Sequence, residues 1–345
     1  MYVFENLNQT LIGMSKVIIE QGVWRDTRGF RCREIPAPTL ICITNPTDRY
    51  INIPERKWNK ELGWVESLWI VSGTNHLKMV TDYVKNMENF SDDGEYMRAA
   101  YGPRIRSFSG LATDYAISEP AHRNIVSGYV KTVDQMKFVI DSLKRDINTR
   151  QALITIHDPV KDDYSHDNTL KVTKDQPCCR SLQFMVVDGK LDCTLYIRSN
   201  DLVWGLSAVN VFNFTLMQEY IANIIGMPIG KYYHFVNNLH IYEDKYDLVE
   251  SFSKLNPDDY KSEFGVWSYG ADKVNWSFEE FDQEVKTLFL YEQNMRTYKY
   301  SVTSIDRFQS DLFTDWAKIF YNKWNGKKDK FLFNNPYLNK LYEKN

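Results

Sequence analysis

The chain has 345 residues, and 42 Lys and Arg nearly balance 45 Asp and Glu, for a net charge of −3. Hydrophobic residues at 43% and charged residues at 25% exclude a disordered chain, and a pI of about 6.1 excludes a whole-chain basic field for nucleic acid. The length exceeds one compact core and falls short of three domains of ~100–200 residues.

Residues 1–22 read as an amphipathic helix, without the basic start, apolar stretch and small-residue cleavage site of a signal peptide. Residues 23–53 read as strand-like and loop-rich, with Pro36, Pro38, Pro46 and Pro54 as breakers. Residues 58–88 read as helical, and Phe90 to Gly94 as a loop. A helix is expected from about Thr132 to Asp146, with Val133, Met136, Val139, Ile140 and Leu143 on one face. Ala152 to Ile156 reads as a short buried strand. The strongest local signal spans 181–199, where two alternating apolar runs flank Asp188-Gly189, a two-residue hairpin turn. Ser207 to Ile225 is apolar nearly all round, so a helix there is buried on most sides, and Gly226 stops it. Beyond about 246, amphipathic helices are expected near 277–297, opened by a capping box at Ser277, and near 307–324. A Lys- and Asn-rich tail follows. This divides the chain into an α/β unit over 1–245 and a helical extension over 246–345. No run of ~18 apolar residues predicts a membrane span.

Five cysteines without CxxC or paired Cys/His spacing predict no disulfide framework and no metal site, and suit a reducing, cytoplasmic setting. Pro177-Cys178-Cys179 heads the hairpin. Counting back from a two-residue turn sets Cys178 opposite Ser199 and Cys179 opposite Arg198. An arginine beside a thiol favours the nucleophilic thiolate. Other polar residues fall in apolar surroundings. Glu66 precedes Ser67-Leu-Trp-Ile-Val, and a carboxylate buried there would be costly unless used or paired. His240 and Tyr242 alternate on one face of a strand-like run. Asp201 and Asn210 flank the start of the buried helix, and Arg150 precedes a strand. Each has an ordinary alternative: an exposed helix face for Glu66, satisfied core groups for His240 and Tyr242, helix caps for Asp201 and Asn210.

Taken in order, Glu66 before Leu68-Trp69, Gly73, Tyr101-Gly102, Thr149-Arg150, Pro177-Cys178, Gln183-Phe184, Arg198-Ser199-Asn200-Asp201, Gly205 and Leu239-His240-Ile241-Tyr242 resemble the thymidylate synthase superfamily over about residues 20–245. The resemblance implies an α/β (α+β) fold with a mixed sheet flanked by helices. It also implies one-carbon transfer from 5,10-methylenetetrahydrofolate to C5 of a pyrimidine nucleoside monophosphate. Cys178 would attack C6. Arg198 and Ser199 would hold the phosphate, with Arg28 the choice among Arg25, Arg28 and Arg31 for the N-terminal phosphate loop. Arg150 would reach the phosphate site of a second subunit, implying a homodimer. Glu66 and Tyr101 would manage protons at the base, His240 and Tyr242 would bind the ribose, and Asp201 would touch the pterin.

The chain departs from that pattern in ways that bear on its product. Cys179 stands where methylating members have His, and Arg150-Gln151 replaces an arginine pair. The polar Ser91-Asp92-Asp93-Gly94 loop replaces a covering tryptophan segment, and no closing apolar tail is recognisable. Methylating members place a uracil-reading Asn eight residues after the Asp of the Arg-Ser-x-Asp motif. Val209 occupies that count and Asn210 follows. A one-residue bulge would bring Asn210 into place, whereas a regular helix would turn it away by ~100°. The expected activity is hydroxymethylation of a cytidylate or uridylate, ribose or deoxyribose. Thymidylate synthesis and a catalytically silent nucleotide-binding homologue are the alternatives. Trp316 or Trp324 of the extension would change the outcome if they sealed the pocket. The tail's six Lys against one Asp and one Glu over 322–345 read as solvated, so neither nucleic acid nor a membrane is an expected partner.

Overall fold

A computed structural model describes residues 1–27, 29–115, 132–270, 276–299, 304–325 and 331–343. Among the described residues, ten strands form two sheets: β1 (Tyr2–Phe4), β2 (Val23–Thr27), β3 (Phe30–Glu34), β4 (Thr39–Ile43), β5 (Leu153–Thr155), β6 (Cys179–Val187), β7 (Lys190–Ile197), β8 (Asn200–Asp201), β9 (Ile229–Val236) and β10 (Leu239–Tyr242). The larger sheet is mixed and runs β1-β4-β9-β7-β6-β5; the smaller runs β2-β3-β10-β8. Two of the crossings between them are two-residue links: β7 leads through Arg198-Ser199 into β8, and β9 leads through Asn237-Asn238 into β10. This brings the 198–201 motif and the His240 strand side by side, with Leu239 paired to Asn200 and His240 to Asp201.

The predicted hairpin is present. Asp188 and Gly189 both take positive φ, 51° and 72°, as a two-residue turn of the primed type requires. Pairing holds the expected register from Val187↔Lys190 to Ser181↔Tyr196, then shifts by one, with Cys179 opposite Ile197. Arg180 is the extra residue of a β-bulge. Its carbonyl is not orphaned, because the Ile156 and His157 amides donate to it at 2.9 and 3.3 Å. The bulge corrects the expected facing pairs: Cys178, not Cys179, lies opposite Arg198, whose amide donates to the Cys178 carbonyl at 2.9 Å.

The helices differ in detail from expectation. The N-terminal segment forms β1 before the Leu7–Gln21 helix, which Asn6 caps by accepting from the Gln9 amide. The 58–88 stretch is not one helix. Its main helix, Leu62–Ser72, stops at Gly73, whose φ of 82° is the left-handed geometry of a glycine terminator. The apolar 207–225 stretch is α-helical only over Val211–Ile225, and a π-helical segment, Leu202–Asn210, precedes it. The Gln135–Arg145 helix follows its Asp134 cap, and Phe278–Tyr298 carries the expected capping box of Ser277 and Glu280. Asp311–Trp324 also forms, and the tail read as solvated contains a further helix, Pro336–Glu343.

The Val211–Ile225 helix is buried along nearly its whole length. Its aromatic Phe212 meets Trp64 of the Leu62–Ser72 helix edge-on, with ring centres 5.1 Å apart. Trp64 in turn meets Trp316 at 5.4 Å, and the Trp316 indole donates to the Trp64 carbonyl at 3.0 Å. A second tie runs through charge. Arg49 donates to Glu219 at 2.6 Å with both side chains at most 1% exposed. Glu219 also accepts from the Tyr269 amide, and the Tyr269 hydroxyl donates to Asp315. No described helix is long and apolar enough to cross a membrane.

Candidate active site

Arg198, Ser199, His240 and Tyr242 line one recess of about 210 Å³ where the two sheets meet, together with Arg25, Glu34 and Asn238. Four predicted residues therefore converge, because β7 ends where β8 and β10 begin side by side. His240 and Tyr242 keep a common face and pack edge-on at 5.4 Å. Arg28 lies outside the described residues. Its neighbour candidate Arg25 does line the recess, while Arg31 pairs at the surface with Glu243 at 3.2 Å.

The recess is not purely cationic. Glu34 on β3 is buried, binds the Arg25 guanidinium at 2.6 Å and accepts from the Asn238 amide at 2.6 Å. The Asn238 carbonyl oxygen faces the Ser199 hydroxyl at 3.4 Å. Sequence reasoning passed over both Glu34 and Asn238. Asn238 could have been found by extending the His240–Tyr242 alternation one step upstream. Glu34 carried no such signal, since its partner lies 204 residues away.

Cys178 stands beside this recess. The Arg198 guanidinium donates to the Pro177 and Gln176 carbonyls, each at 3.2 Å, which fixes the backbone just before the thiol. Cys178 is half-buried and Cys179 is fully buried. Burial pushes the Cys179 thiol far up, with Cys178 and Glu66 pushing the same way. Cys179 is therefore a neutral core thiol. Tyr101 reaches both cysteines: its hydroxyl accepts from the Cys179 amide at 3.4 Å, and burial beside the two sulfurs holds it protonated. Glu66, on the Leu62–Ser72 helix, is pushed up to about 7 by burial, opposed by the side chain of Asn213.

The loop before Cys178 is braced. Asp162 accepts from Arg98 at 2.8 Å and from two nitrogens of Arg104 at 2.7 and 2.8 Å, and its carbonyl accepts from the Gln176 amide at 2.9 Å. Asp175, pushed up to about 6 by burial, accepts from the Ala99 amide at 2.7 Å. These contacts join the Tyr101–Arg106 helix to the residues leading into Cys178. Asp92 of the polar 91–94 loop accepts from Thr173 and Lys174 of the same stretch.

Asp201 caps the π-helical segment by accepting from the Trp204 amide. Its other carboxylate oxygen is buried without a partner among the described residues, and burial raises the group to about 6. Asn210 ends that segment and is 8% exposed. The π turn carries i→i+5 bonds and so holds one residue more than an α turn. Such a wider turn is the kind of local insertion that the Val209/Asn210 count asks for. Arg150 is exposed and does not line the recess that holds Arg198 and His240. A larger cavity of about 920 Å³, lined by Asp48, Tyr50, Trp58, Lys323 and Tyr337 among others, includes none of the predicted site residues.

The thymidylate synthase family model matches residues 12–266. The chain belongs to the thymidylate synthase family. Within that family it is 35% identical over 259 residues to a deoxyuridylate hydroxymethyltransferase of Bacillus phage SP01, covering 74% of this chain and 63% of that protein. It is 29% identical over 251 residues to a protein of the same description from Pseudomonas phage M6, covering 72% and 64%. A third, from Delftia phage PhiW-14, is 29% identical over 231 residues, covering 64% and 57%. The chain thus spans less than two thirds of the length of these relatives. As a thymidylate synthase family chain, it has the expected mixed sheet flanked by helices.

Proposed function

We propose that this chain transfers a one-carbon unit to C5 of a pyrimidine nucleoside monophosphate, with Cys178 adding covalently at C6 and hydroxymethyldeoxyuridylate as the product. The carrying observation is the convergence of Arg198, Ser199, His240 and Tyr242 on one recess, with Cys178 hydrogen-bonded to the Arg198 backbone at its side. Arginine forks suit a phosphate, and the paired His240 and Tyr242 suit a ribose hydroxyl.

C5 of a pyrimidine is a poor nucleophile. Formation of the Cys178 Sγ–C6 bond moves the C5–C6 π electrons toward the ring carbonyl and gives C5 enolate character. Tyr101, held protonated, and Glu66, poised near 7, suit the proton movements at the carbonyl and at C5. The orphaned, buried oxygen of Asp201 fits the nitrogen-rich pterin edge of methylenetetrahydrofolate; when bound, that cofactor supplies the one-carbon unit. Completion by water rather than hydride is favoured by the relatives' descriptions and by the polar 91–94 loop. Trp316 and Trp324 do not offer cover: Trp316 is buried against Trp64, and the Trp324 indole donates to the Tyr83 hydroxyl.

A homodimer would give exposed Arg150 a role in the other copy's phosphate site. The outer face of the larger sheet, with half-exposed Tyr196 and Phe235 in tilted contact at 5.5 Å, is a suitable surface for it. We take 246–345 as a helical extension of a 1–245 catalytic unit; the family match ends at 266.

The test is incubation with C5-tritiated dUMP or dCMP and methylenetetrahydrofolate, read by tritium release, product mass and dihydrofolate absorbance. A hydroxymethylated uridylate without dihydrofolate supports the proposal. A methylated product with dihydrofolate overturns hydroxymethylation, and absence of tritium release with either nucleotide overturns catalysis at C5.

A further inference from the structure

The residue between Ser199 and Asp201 is Asn200, 3% exposed. A buried chain of hydrogen bonds fixes its side chain. The Tyr232 hydroxyl lies 3.1 Å from His234 Nδ1, and His234 Nε2 lies 2.8 Å from Asn200 Oδ1. Burial keeps the Tyr232 hydroxyl protonated and drives His234 down to about 3, so the imidazole is neutral at any working pH. A neutral imidazole has one donor and one acceptor nitrogen. The network assigns the tautomer: Tyr232 donates to Nδ1, so Nε2 carries the proton and donates to Asn200 Oδ1. The amide of Asn200 is thereby locked with its oxygen inward and its NH2 outward.

Gly205 shows where that NH2 points. A Cβ at Gly205 would collide with Asn200 Nδ2 and would lie 3.4 Å from Asn210 Nδ2. Two buried primary amides thus converge over one glycine, and neither has a side-chain hydrogen-bond partner there among the described residues. Neither nitrogen is among the sealed, unpartnered side-chain atoms, so both reach accessible space, and two donors at one point suit a ligand with acceptors for them.

We infer that Asn200, held by His234 and Tyr232, is a second base-reading residue that selects a uracil carbonyl over a cytosine amino group. This rests on the proposed nucleotide reaction and adds the base and the residues that choose it. Asn210 is free to turn its amide and pair with either edge. Asn200 cannot turn, because its oxygen is already engaged; it offers only N–H donors. A carbonyl at the pyrimidine 4-position accepts from it, whereas an amino group there meets donor with donor. A polar site built for one hydrogen-bonding pattern rejects the opposite pattern strongly.

The experiment measures kcat/KM for dUMP and dCMP, tritium release serving as readout, for wild type, N200A, N200D, H234L and H234Q, each with its melting temperature. N200A should lose roughly 10- to 100-fold on dUMP through an unmet carbonyl, with the KM for methylenetetrahydrofolate unchanged. N200D should move the dCMP/dUMP ratio toward cytosine by at least tenfold, because a carboxylate accepts where the amide donated. H234L, which frees the amide to turn, should lose discrimination, and H234Q, which keeps a donor for Asn200 Oδ1, should retain more of it. Wild-type turnover of dUMP with an unchanged dCMP/dUMP ratio in N200D and H234L overturns the inference while leaving the proposed reaction intact. No turnover of either nucleotide by wild type overturns the proposed reaction itself.

Discussion

Replacing Glu66 with Gln should make the protein more stable and less active at once. The carboxyl is pushed from an ordinary 4.5 to about 7 by burial, a shift of about 2.5 pH units that converts to roughly 3 kcal/mol. The sign follows from proton counting. Between about pH 4.5 and 7 the unfolded chain has released this proton while the folded chain keeps it, so stability falls as pH rises through that window. Gln occupies the same space without a charge. The stability difference between E66Q and wild type should be near zero below about pH 4.5. It should grow to roughly 3 kcal/mol in favour of E66Q by about pH 7.5 and then level off. Urea unfolding of both proteins at pH 5, 6, 7 and 8 measures it. On the proposed chemistry, E66Q should also lose ~10²–10⁴-fold in turnover, and the wild-type rate profile should show a limb near pH 7. A stability difference that does not change with pH would refute the burial argument, whatever happens to the rate.

Cys178→Ala should abolish turnover, whereas Cys179→Ala should leave a measurable rate and cost ~1–2 kcal/mol from its fully buried position; a reversed outcome in a tritium-release assay would contradict the bulged register. Arg49→Met strands the buried Glu219 carboxylate and should cost ~3–5 kcal/mol in urea unfolding; a loss under 1 kcal/mol would mean Glu219 finds another partner. Deleting Val209 removes one residue from the π-helical segment and should yield a folded protein retaining at least a tenth of wild-type activity. Deleting Ile221, within the regular helix, should prevent soluble expression; equal behaviour of the two deletions would argue against a π-specific tolerance.

Much of the framework was legible because it rests on local chemistry. Asp188-Gly189 dictates a primed turn, and the capping box at Ser277 starts its helix where periodicity places it. Elements that depend on a single backbone residue were not legible. The alternation of 179–187 gives no sign that Arg180 is extruded, because the reason lies in the Ile156 and His157 amides that need its carbonyl. Gly73 divides a stretch whose composition stays apolar on both sides. The Pro336–Glu343 helix was hidden in a polar tail, where Tyr337 and Leu338 are its buried anchors. In the site, residues sharing a motif could be named from sequence. Glu34 and His234 could not, since each acts through a partner outside its own strand.

The π-helical winding of Leu202–Asn210 has a consequence for substrate selection. An extra residue in an α-helix would swing everything after it by ~100°, carrying Phe212, Phe214 and Ile221 of the buried helix out of the core. Wider winding confines the added residue to a stretch ending at Asn210, so the downstream packing face stays where it was. The amide at the end of that stretch and the hydrophobic lock that holds it are therefore mechanically independent. A chain of this kind can lengthen or shorten the segment between Asp201 and Asn210, and so re-aim the Asn210 amide, without repacking its interior.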